Sequence, residues 1–337
     1  MEIRKKQSLL NYNTFGFDVE ADSFVSIVED KELVDLFKRD CFQRRHLILG
    51  GGSNILFVKD FEGLVIHMAN MGISVVEEND SHIYINAKAG ENWEEFVEYC
   101  INNSWAGVEN LSIIPGNIGA CSVQNIGAYG VEVKDVISSV EVFDKSNGKY
   151  LTLTNDECKF SYRSSIFKTS AKDKYIIVSV TFRLNKSQNT NTSYGSVLGE
   201  LNSMGVEYPK ISDVGKAISR IRNKKLPDPK DMGNAGSFFK NPIISVEQAK
   251  AIKKEFPNMP EYKISDTEVK LAAAWLIEVC GWKGKKENNV GVHEKQSVVL
   301  VHYGEAKGED LLQLSDKIIK SVKDKFCIEL EPEVNII

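Results

Sequence analysis

Ile114-Pro-Gly-Asn-Ile-Gly-Ala-Cys-Ser-Val-Gln-Asn-Ile-Gly-Ala-Tyr-Gly130 is the stretch on which the reading of this 337-residue chain turns. It spaces Gly116, Gly119, Gly127 and Gly130 around Ala120 and the amides Gln124 and Asn125. Small residues let a flat ring or a pyrophosphate lie against the main chain, and a long glycine-rich loop inside a folded domain is usually functional. A second run, Leu49-Gly50-Gly51-Gly52-Ser53-Asn54-Ile55, follows the apolar segment His46–Leu49, which reads as a buried strand. Consecutive glycines allow N–H groups to turn inward towards a phosphate, although such a run also suits a plain tight turn. It is not a Rossmann fingerprint, because Ile55 stands where the third glycine belongs, and it is not a P-loop, because no Gly-Lys-Ser/Thr follows. Two glycine loops on one chain favour a dinucleotide held on two faces.

Around these loops the pattern is mixed. Leu64–His67 reads as a short buried strand, and His82–Ala89 alternates, with Ile83, Ile85, Ala87 and Ala89 on one side. Trp93, Phe96, Val97, Cys100 and Ile101 then fall on one face of a helix. Val136–Phe143, Tyr150–Leu153 and Tyr175–Leu184 are enriched in β-branched and aromatic residues and read as strands. Residues 185–195 are polar and mark a boundary, with Tyr194 as their lone aromatic. Beyond them the chain is more helical. Val214, Ala217, Ile218 and Ile221 make an apolar stripe that Ser212 is placed to cap, and Arg220, Arg222, Lys224 and Lys225 crowd its end. Ser245-Val-Glu-Gln248 is a capping-box pattern, Leu271–Cys280 and Asp310–Phe326 read as helices, and Ser297–Tyr303 and Cys327–Ile337 read as strands.

Composition narrows the function. Lys plus Arg is 42 against 47 Asp plus Glu, which argues against a nucleic-acid binder relying on bulk positive charge. No apolar run reaches the ~18–20 residues of a membrane span, and Met1–Asn11 lacks the apolar core of a signal peptide, so a cytoplasmic protein is expected. The six cysteines include no Cys-x-x-Cys and read as reduced thiols. His293-Glu294 opens like a zincin helix, but Ser297 stands at the second histidine position, and no metal site is expected.

Three further motifs carry chemistry. In Ser161-Tyr-Arg-Ser-Ser-Ile-Phe167, an arginine beside a tyrosine between strands suits bidentate orientation of a carboxylate, and equally a surface arginine beside a packed tyrosine. In Gly233-Asn-Ala-Gly-Ser-Phe-Phe-Lys-Asn-Pro242, small residues bring Ser237 close to something while Phe238 and Phe239 anchor the turn. A serine without a histidine is a poor nucleophile, but it can donate a proton to a sufficiently basic partner. In Leu330-Glu-Pro-Glu-Val334, Glu331 and Glu333 share one side of a strand, and either is placed to face a site or solvent.

In this order and spacing the motifs resemble the UDP-N-acetylenolpyruvoylglucosamine reductases (the MurB, or UDP-N-acetylmuramate dehydrogenase, family). The likeness runs from Asn13-Thr-Phe-Gly16 to Glu333-Val334 and is closer to the longer form, which carries a tyrosine loop. It implies an α+β protein: an FAD-binding fold of the vanillyl-alcohol-oxidase (PCMH) type in two subdomains, plus a C-terminal α+β domain for the UDP-sugar. The implied boundaries are 1–68 with 328–337, then 69–212, then 213–327.

The resemblance also implies a reaction in two halves. NADPH reduces FAD, and hydride then passes to the vinyl C3 of the enolpyruvyl ether of UDP-N-acetylglucosamine, a step of peptidoglycan precursor synthesis. By motif match, Gly50, Gly51, Gly52, Ser53 and Asn54 line the FAD pyrophosphate. Gly116, Gly119, Ala120, Gln124, Asn125 and Gly127 run along pyrophosphate and isoalloxazine. Arg163 and Glu333 match the pair that polarises the substrate carboxylate, and Ser237 matches the proton donor to C2. Tyr162 borders flavin and substrate, Lys225 and Asn241 meet the diphosphate, Tyr194 covers uridine and phosphate, and Gln296 is matched to uracil. A monomer without nucleic-acid partners is expected. The family's Arg after Glu-Val is replaced here by Asn335. Two other readings stand beside this one: an alcohol or sugar oxidase of the same fold, marked by a covalent-flavin His or Cys such as Cys121, and a non-enzymatic nucleotide-sugar binding module.

Overall fold

The alternation at His82–Ala89 becomes a strand over His82–Lys88, in a computed structural model that describes all residues 1–337. The chain divides into two compact units. One comprises Met1–Ser8, Glu20–Gly52 and Phe61–Lys224; the other comprises Leu9–Val19, Ser53–Asp60 and Lys225–Ile337. In chain order the helices are α1 (Glu32–Lys38), α2 (Trp93–Asn102), α3 (Ile118–Val123), α4 (Gly195–Ser203), α5 (Ile211–Lys225), α6 (Val246–Glu255), α7 (Ala273–Val279) and α8 (Gly308–Phe326).

The first unit holds two sheets. The larger is antiparallel, in the order Lys149–Thr154, Ile137–Asp144, Tyr175–Asn185, His82–Lys88, Ile73–Glu78. Ile85 lies opposite Phe182 and Ala87 opposite Val180, so the buried alternate residues of two strands form one apolar face. Helix α2 covers it. Phe96 packs on Phe182 with ring centroids 4.6 Å apart, and the buried Trp93 donates from Nε1 to Leu111 O at 2.9 Å. Truncating such a ring to alanine costs about 3–5 kcal/mol. Asn92 caps α2 by accepting from Glu95 N, which starts the helix where the apolar period changes. The smaller sheet runs Arg4–Ser8, Glu20–Ile27, Phe61–Met68, His46–Leu49, with its last three strands parallel. Helices α4 and α5 share a separate core of Val197, Leu201, Val214, Ala217, Ile218 and Ile221.

The second unit packs α7 and α8 with short strands around Phe238, Phe239, Leu271, Leu276, Val299, Leu314 and Ile318. One sheet runs Ile243–Ser245, Glu268–Leu271, Glu261–Lys263, another Lys286–Glu287, Val290–Val292, Leu300–His302, and Asn335–Ile336 pairs in parallel with Ile55–Leu56. Ser245 caps α6 through Gln248 N at 3.1 Å, as the capping-box pattern indicates.

Several boundaries differ from the sequence reading. Helix α5 begins at Ile211, so Ser212 lies inside it, and Asp213 Oδ2 accepts from Lys210 N at 2.9 Å in the capping role. Within Leu271–Cys280 only Ala273–Val279 is helical, because Leu271 completes a strand paired with Glu261. Only Asn335–Ile336 of Cys327–Ile337 is a regular strand, since Cys327 takes the left-handed turn (φ 55°) that ends α8. Ser297–Tyr303 narrows to Leu300–His302. The glycine-rich 114–130 segment is not all loop, because it contains α3. All six cysteines are free thiols, and no helix is long and apolar enough to cross a membrane.

Candidate active-site residues in each unit

In the first unit the two glycine segments face each other. A Cβ on Gly50 would stand 3.6 Å from Asn117 Cβ and 3.8 Å from Ala120 Cβ. One on Gly51 would lie 3.4 Å from Gly116 Cα and overlap the Asn117 side chain. Gly52 has φ 63° and Gly116 has φ 135°, conformations that L side chains rarely adopt. Two glycine-rich stretches of main chain thus lie close together, with the Asn117 side chain packed against the first. That suits a pyrophosphate and the flat ring of a dinucleotide, and it is the fit test an FAD site must meet. Gly119 anchors α3 by donating from its N to Ala89 O at 2.9 Å, and a Cβ there would meet Ala89 Cβ at 2.8 Å. Gln124 follows the end of α3.

Asn125 is fully buried and plays a different part from a ligand contact through its side chain. Its Nδ2 donates to Glu132 Oε2 and Ser161 O, both at 3.0 Å, and its Oδ1 accepts from Lys134 N at 3.0 Å. It therefore ties the glycine loop to the turn that carries Tyr162 and Arg163. Arg163 has φ 52°, an uncommon conformation for a non-glycine residue. Its Nη2 donates to Gly127 O at 2.6 Å, and its guanidinium lies 5.1 Å from the Tyr162 ring centroid. Gly127 accepts only glycine comfortably, because a Cβ would come within 3.1 Å of Arg163 Nη1. Cys121 on α3 is buried, and burial pushes its thiol pKa up, which disfavours the thiolate that covalent flavin attachment needs.

Tyr194 precedes α4 and is 42% exposed. It meets Tyr129 edge to face, ring centroids 5.5 Å apart. Tyr129 hydrogen-bonds the buried side chain of Arg222, and its phenol pKa is raised by burial. Asn110 donates to both Tyr129 O and Asn191 O. Tyr129, Asn110 and Arg222 thus form a connected group beside Tyr194 that motif spacing does not single out, since in the sequence Tyr129 lies in a glycine loop and Arg222 among helix-end charges.

In the second unit Ser237 and Glu333 come together through main chain. Ser237 pairs with Val299, Phe238 N donates to Val298 O at 2.8 Å, and Glu333 N donates to Phe238 O at 2.7 Å. The side chains of Phe238 and Phe239 are buried, which leaves Ser237 exposed at the start of the segment. Asn54 Nδ2 donates to Glu333 O at 3.2 Å, and Asn335 returns both its N and Nδ2 to Asn54 O. Glu331 pairs instead with Lys240 and is largely exposed. Ser53 and Asn54 belong to this unit, while Gly50, Gly51 and Gly52 belong to the first.

Asn241 Oδ1 accepts from Ala273 N at 2.9 Å and caps α7, which leaves its amide NH₂ for a ligand. Lys225 is exposed at the end of α5. Gln296 O accepts from Val299 N at 3.0 Å, so it turns into the strand that pairs with Ser237. His293, three residues earlier, was set aside in the sequence as a failed metal motif. Its Nδ1 is buried without a partner, and burial lowers its pKa, which favours the neutral ring. Such a stranded atom calls for a partner, and only tertiary burial revealed it.

Comparison with known proteins supplies the rest. The model of the UDP-N-acetylenolpyruvoylglucosamine reductase C-terminal domain matches residues 228–337, and the FAD binding domain model matches residues 25–154. The UDP-N-acetylenolpyruvoylglucosamine reductase of Flavobacterium johnsoniae is 46% identical over 100% of both chains. That of Bacteroides fragilis is 46% identical over 99% of this chain and 100% of its own, and that of Chromobacterium violaceum 44% over 99% and 98%. Among solved structures, the enzyme of the same name from Thermus caldophilus superposes with a TM-score of 0.68, covering 99% of this chain and 98% of its own at 21% identity, which speaks to fold.

Proposed function

The chain belongs to the UDP-N-acetylenolpyruvoylglucosamine reductase family, and on that premise we propose how its residues reduce the enolpyruvyl ether of UDP-N-acetylglucosamine to UDP-N-acetylmuramate. It is an FAD-dependent oxidoreductase of peptidoglycan precursor synthesis, with NADPH as reducing co-substrate. The oxidase and the non-enzymatic module find no support, because the full-length relatives are reductases.

When bound, FAD supplies the hydride chemistry. Gly50–Asn54 and Gly116–Gly127 hold it through main-chain N–H groups. Hydride arriving at the vinyl C3 leaves carbanion character at C2, conjugated with the carboxylate. The protein's task is to stabilise that charge and then quench it. Arg163 grips the carboxylate; anchoring on Gly127 O fixes the plane of its donors. Glu333 completes the clamp, which works if it is protonated or if it holds a donor in place. Ser237 protonates C2. A serine is a weak acid, so transfer succeeds only towards a strongly basic, enolate-like carbon. Tyr162 borders flavin and substrate, Lys225 and Asn241 meet the diphosphate, Tyr194 covers the nucleotide and Gln296 contacts uracil.

The observation that carries this reading is the main-chain hydrogen bond from Glu333 N to the carbonyl of Phe238, the residue next to Ser237, with Asn54 of the glycine run bound to the same Glu333. The finer division proposed is 1–68 with 328–337, 69–212, and 213–327 for the UDP-sugar; the two separate sheets of the first unit favour parting 1–68 from 69–212, and the pairing of Asn335–Ile336 with Ile55–Leu56 favours joining 328–337 to the first segment. The protein works as a cytoplasmic monomer without nucleic acid, where its nucleotide substrates are found.

Anaerobic stopped flow tests the proposal. NADPH bleaches the yellow protein, and the enolpyruvyl UDP-sugar restores the colour without oxygen. Failure of the sugar to restore it sinks the assignment.

A further inference from the structure

We infer that Asn110 is a positioning residue for Tyr194: its amide ties the segment preceding Tyr194 to the second glycine loop and so sets where that ring stands. The inference rests on the reading of Tyr194 as the residue that covers the nucleotide.

Asn110 lies in the short turn Glu109–Leu111 and is 1% exposed. Its Nδ2 donates to Tyr129 O at 3.1 Å and to Asn191 O at 2.9 Å. Both acceptors are carbonyls, so the amide orientation is fixed by chemistry. The flipped form would press Oδ1 against two carbonyl oxygens and leave no donor for either. The two carbonyls come from segments far apart in sequence, one at the end of the glycine loop and one in the polar stretch before Tyr194. A single NH₂ group joins them.

Farther from Tyr194 the stretch is tied at Lys186, to Glu78 Oε1 and Asn79 O, and at Gln188, whose Nε2 donates to Ser104 O, so the Asn110 bond to Asn191 lies nearer Tyr194 than any of these. Residues 186–193 are polar and contribute nothing to either apolar core of this unit. Tyr194 is too exposed for burial to decide its place. On its C-terminal side α4 is pinned by Val197 and Leu201 against α5. On its N-terminal side the nearest tie to another segment is the Asn110 bond to Asn191 O. Asn191 takes it further: its Nδ2 donates to Gly130 O at 3.4 Å, and its Oδ1 accepts from Ser193 N at 3.1 Å and Ser193 Oγ at 2.6 Å. Tyr129, whose carbonyl Asn110 holds, has φ 49° and offers its ring to Tyr194. The same amide therefore restrains Tyr194 twice, through the chain before it and through the ring beside it.

Three buried polar atoms around this point have no hydrogen-bond partner: Asn110 Oδ1, Ser196 Oγ and Arg222 Nε. Stranded polar atoms are rare inside proteins, and these three belong to the amide that holds Tyr129, to the residue two after Tyr194, and to the arginine that bonds Tyr129. Losing the Asn110 donors would leave two carbonyls unpaired and the polar stretch free to fluctuate. Substrate binding would then have to order it. The cost falls on binding of the nucleotide sugar, and the NADPH half-reaction, which needs no sugar, is untouched.

The test uses the FAD-loaded enzyme. Asn110→Asp keeps the size of the side chain and removes both donors. The expected result is a rise of about tenfold in KM for the enolpyruvyl UDP-sugar, with kcat within about threefold and unchanged flavin reduction by NADPH, the tenfold step equating to about 1.4 kcal/mol. Tryptic cleavage after Lys186 accelerates by a similar factor. In the Tyr194→Ala background, the Asn110→Asp change adds little further, because it acts through that ring. If Asn110→Asp loses flavin, Asn110→Ala removes the same donors without charge and carries the same expectations. An unchanged KM or unchanged cleavage in the loaded variants overturns the inference, as does full additivity with Tyr194→Ala. Tyr194→Ala with an unaltered KM would overturn the reading of Tyr194 itself, a different failure.

Discussion

The side-chain amide of Asn54 donates to the main-chain carbonyl of Glu333 at 3.2 Å, across 279 residues of sequence. One end of the first glycine run is thereby bound to the segment that carries the second carboxylate of the proposed clamp. Asn335 reinforces the joint by donating to Asn54 O at 2.9 Å. Asn54→Leu removes the donor at similar size and should lower unfolding free energy by about 1–3 kcal/mol. It should also slow the sugar half-reaction more than flavin reduction. Urea unfolding and stopped flow measure both, and equal slowing of the two halves would count against a role in holding Glu333.

Ser237→Ala should slow recolouring of the reduced enzyme by the sugar by at least ~10²–10⁴-fold, with flavin reduction by NADPH nearly intact. Its side chain is exposed and has no packing role, so stability should not change beyond about 0.5 kcal/mol. Equal slowing of both half-reactions would show that the serine is not the proton donor.

Gly51→Ala places a methyl group against Asn117 and Gly116 in the cradle. The methyl group displaces the Asn117 side chain that lies between the two glycine segments, and overpacking of this kind costs about 1–3 kcal/mol, so FAD affinity should fall by roughly tenfold or more. The flavin-to-protein absorbance ratio of the purified variant measures it. A normal ratio would mean that the cradle does not hold the cofactor.

Glu109 is buried and accepts from Gly107 N at 2.6 Å, and burial raises its pKa above the ordinary carboxylate range. The folded state therefore holds the proton more tightly than the unfolded chain. Its stabilising contribution is complete below the ordinary carboxylate value and is lost as pH rises through the raised folded value. Glu109→Gln keeps an acceptor for Gly107 and removes the titration. Relative to this variant, the native protein should lose stability as pH rises above the ordinary carboxylate range, as read by urea unfolding at acidic and at neutral pH. An equal gap at the two would mean that Glu109 does not titrate between them.

Local pattern made much of the architecture legible. The alternation at His82–Lys88, the apolar face of α2 and the Ser245 cap each reflect a rule that acts within a few residues, so the chain displays them directly. The joint occurrence of the glycine runs with Tyr162-Arg163 and Gly236-Ser237 identified the family. Local rules failed where a distant partner overrode them. Leu271 went to a strand because Glu261 was there to pair with it, and α3 formed inside a glycine-rich stretch because Ala89 and Glu91 offered carbonyls to Gly119 and Ile118.

The order of side chains along the chain, by itself, determined the family and with it the FAD-dependent reduction; the roles proposed for Ser237, Arg163 and Glu333 follow from the same motifs. Tertiary structure alone decided that Asn125 is a structural tie, that Glu331 pairs with Lys240 while Glu333 is held by Asn54, and that His293 has a stranded nitrogen. These are facts of burial and hydrogen-bond geometry between residues remote in sequence. The cost of an unpaired polar atom depends on which carbonyls and donors the fold brings within about 3 Å, and no spacing along the chain records that.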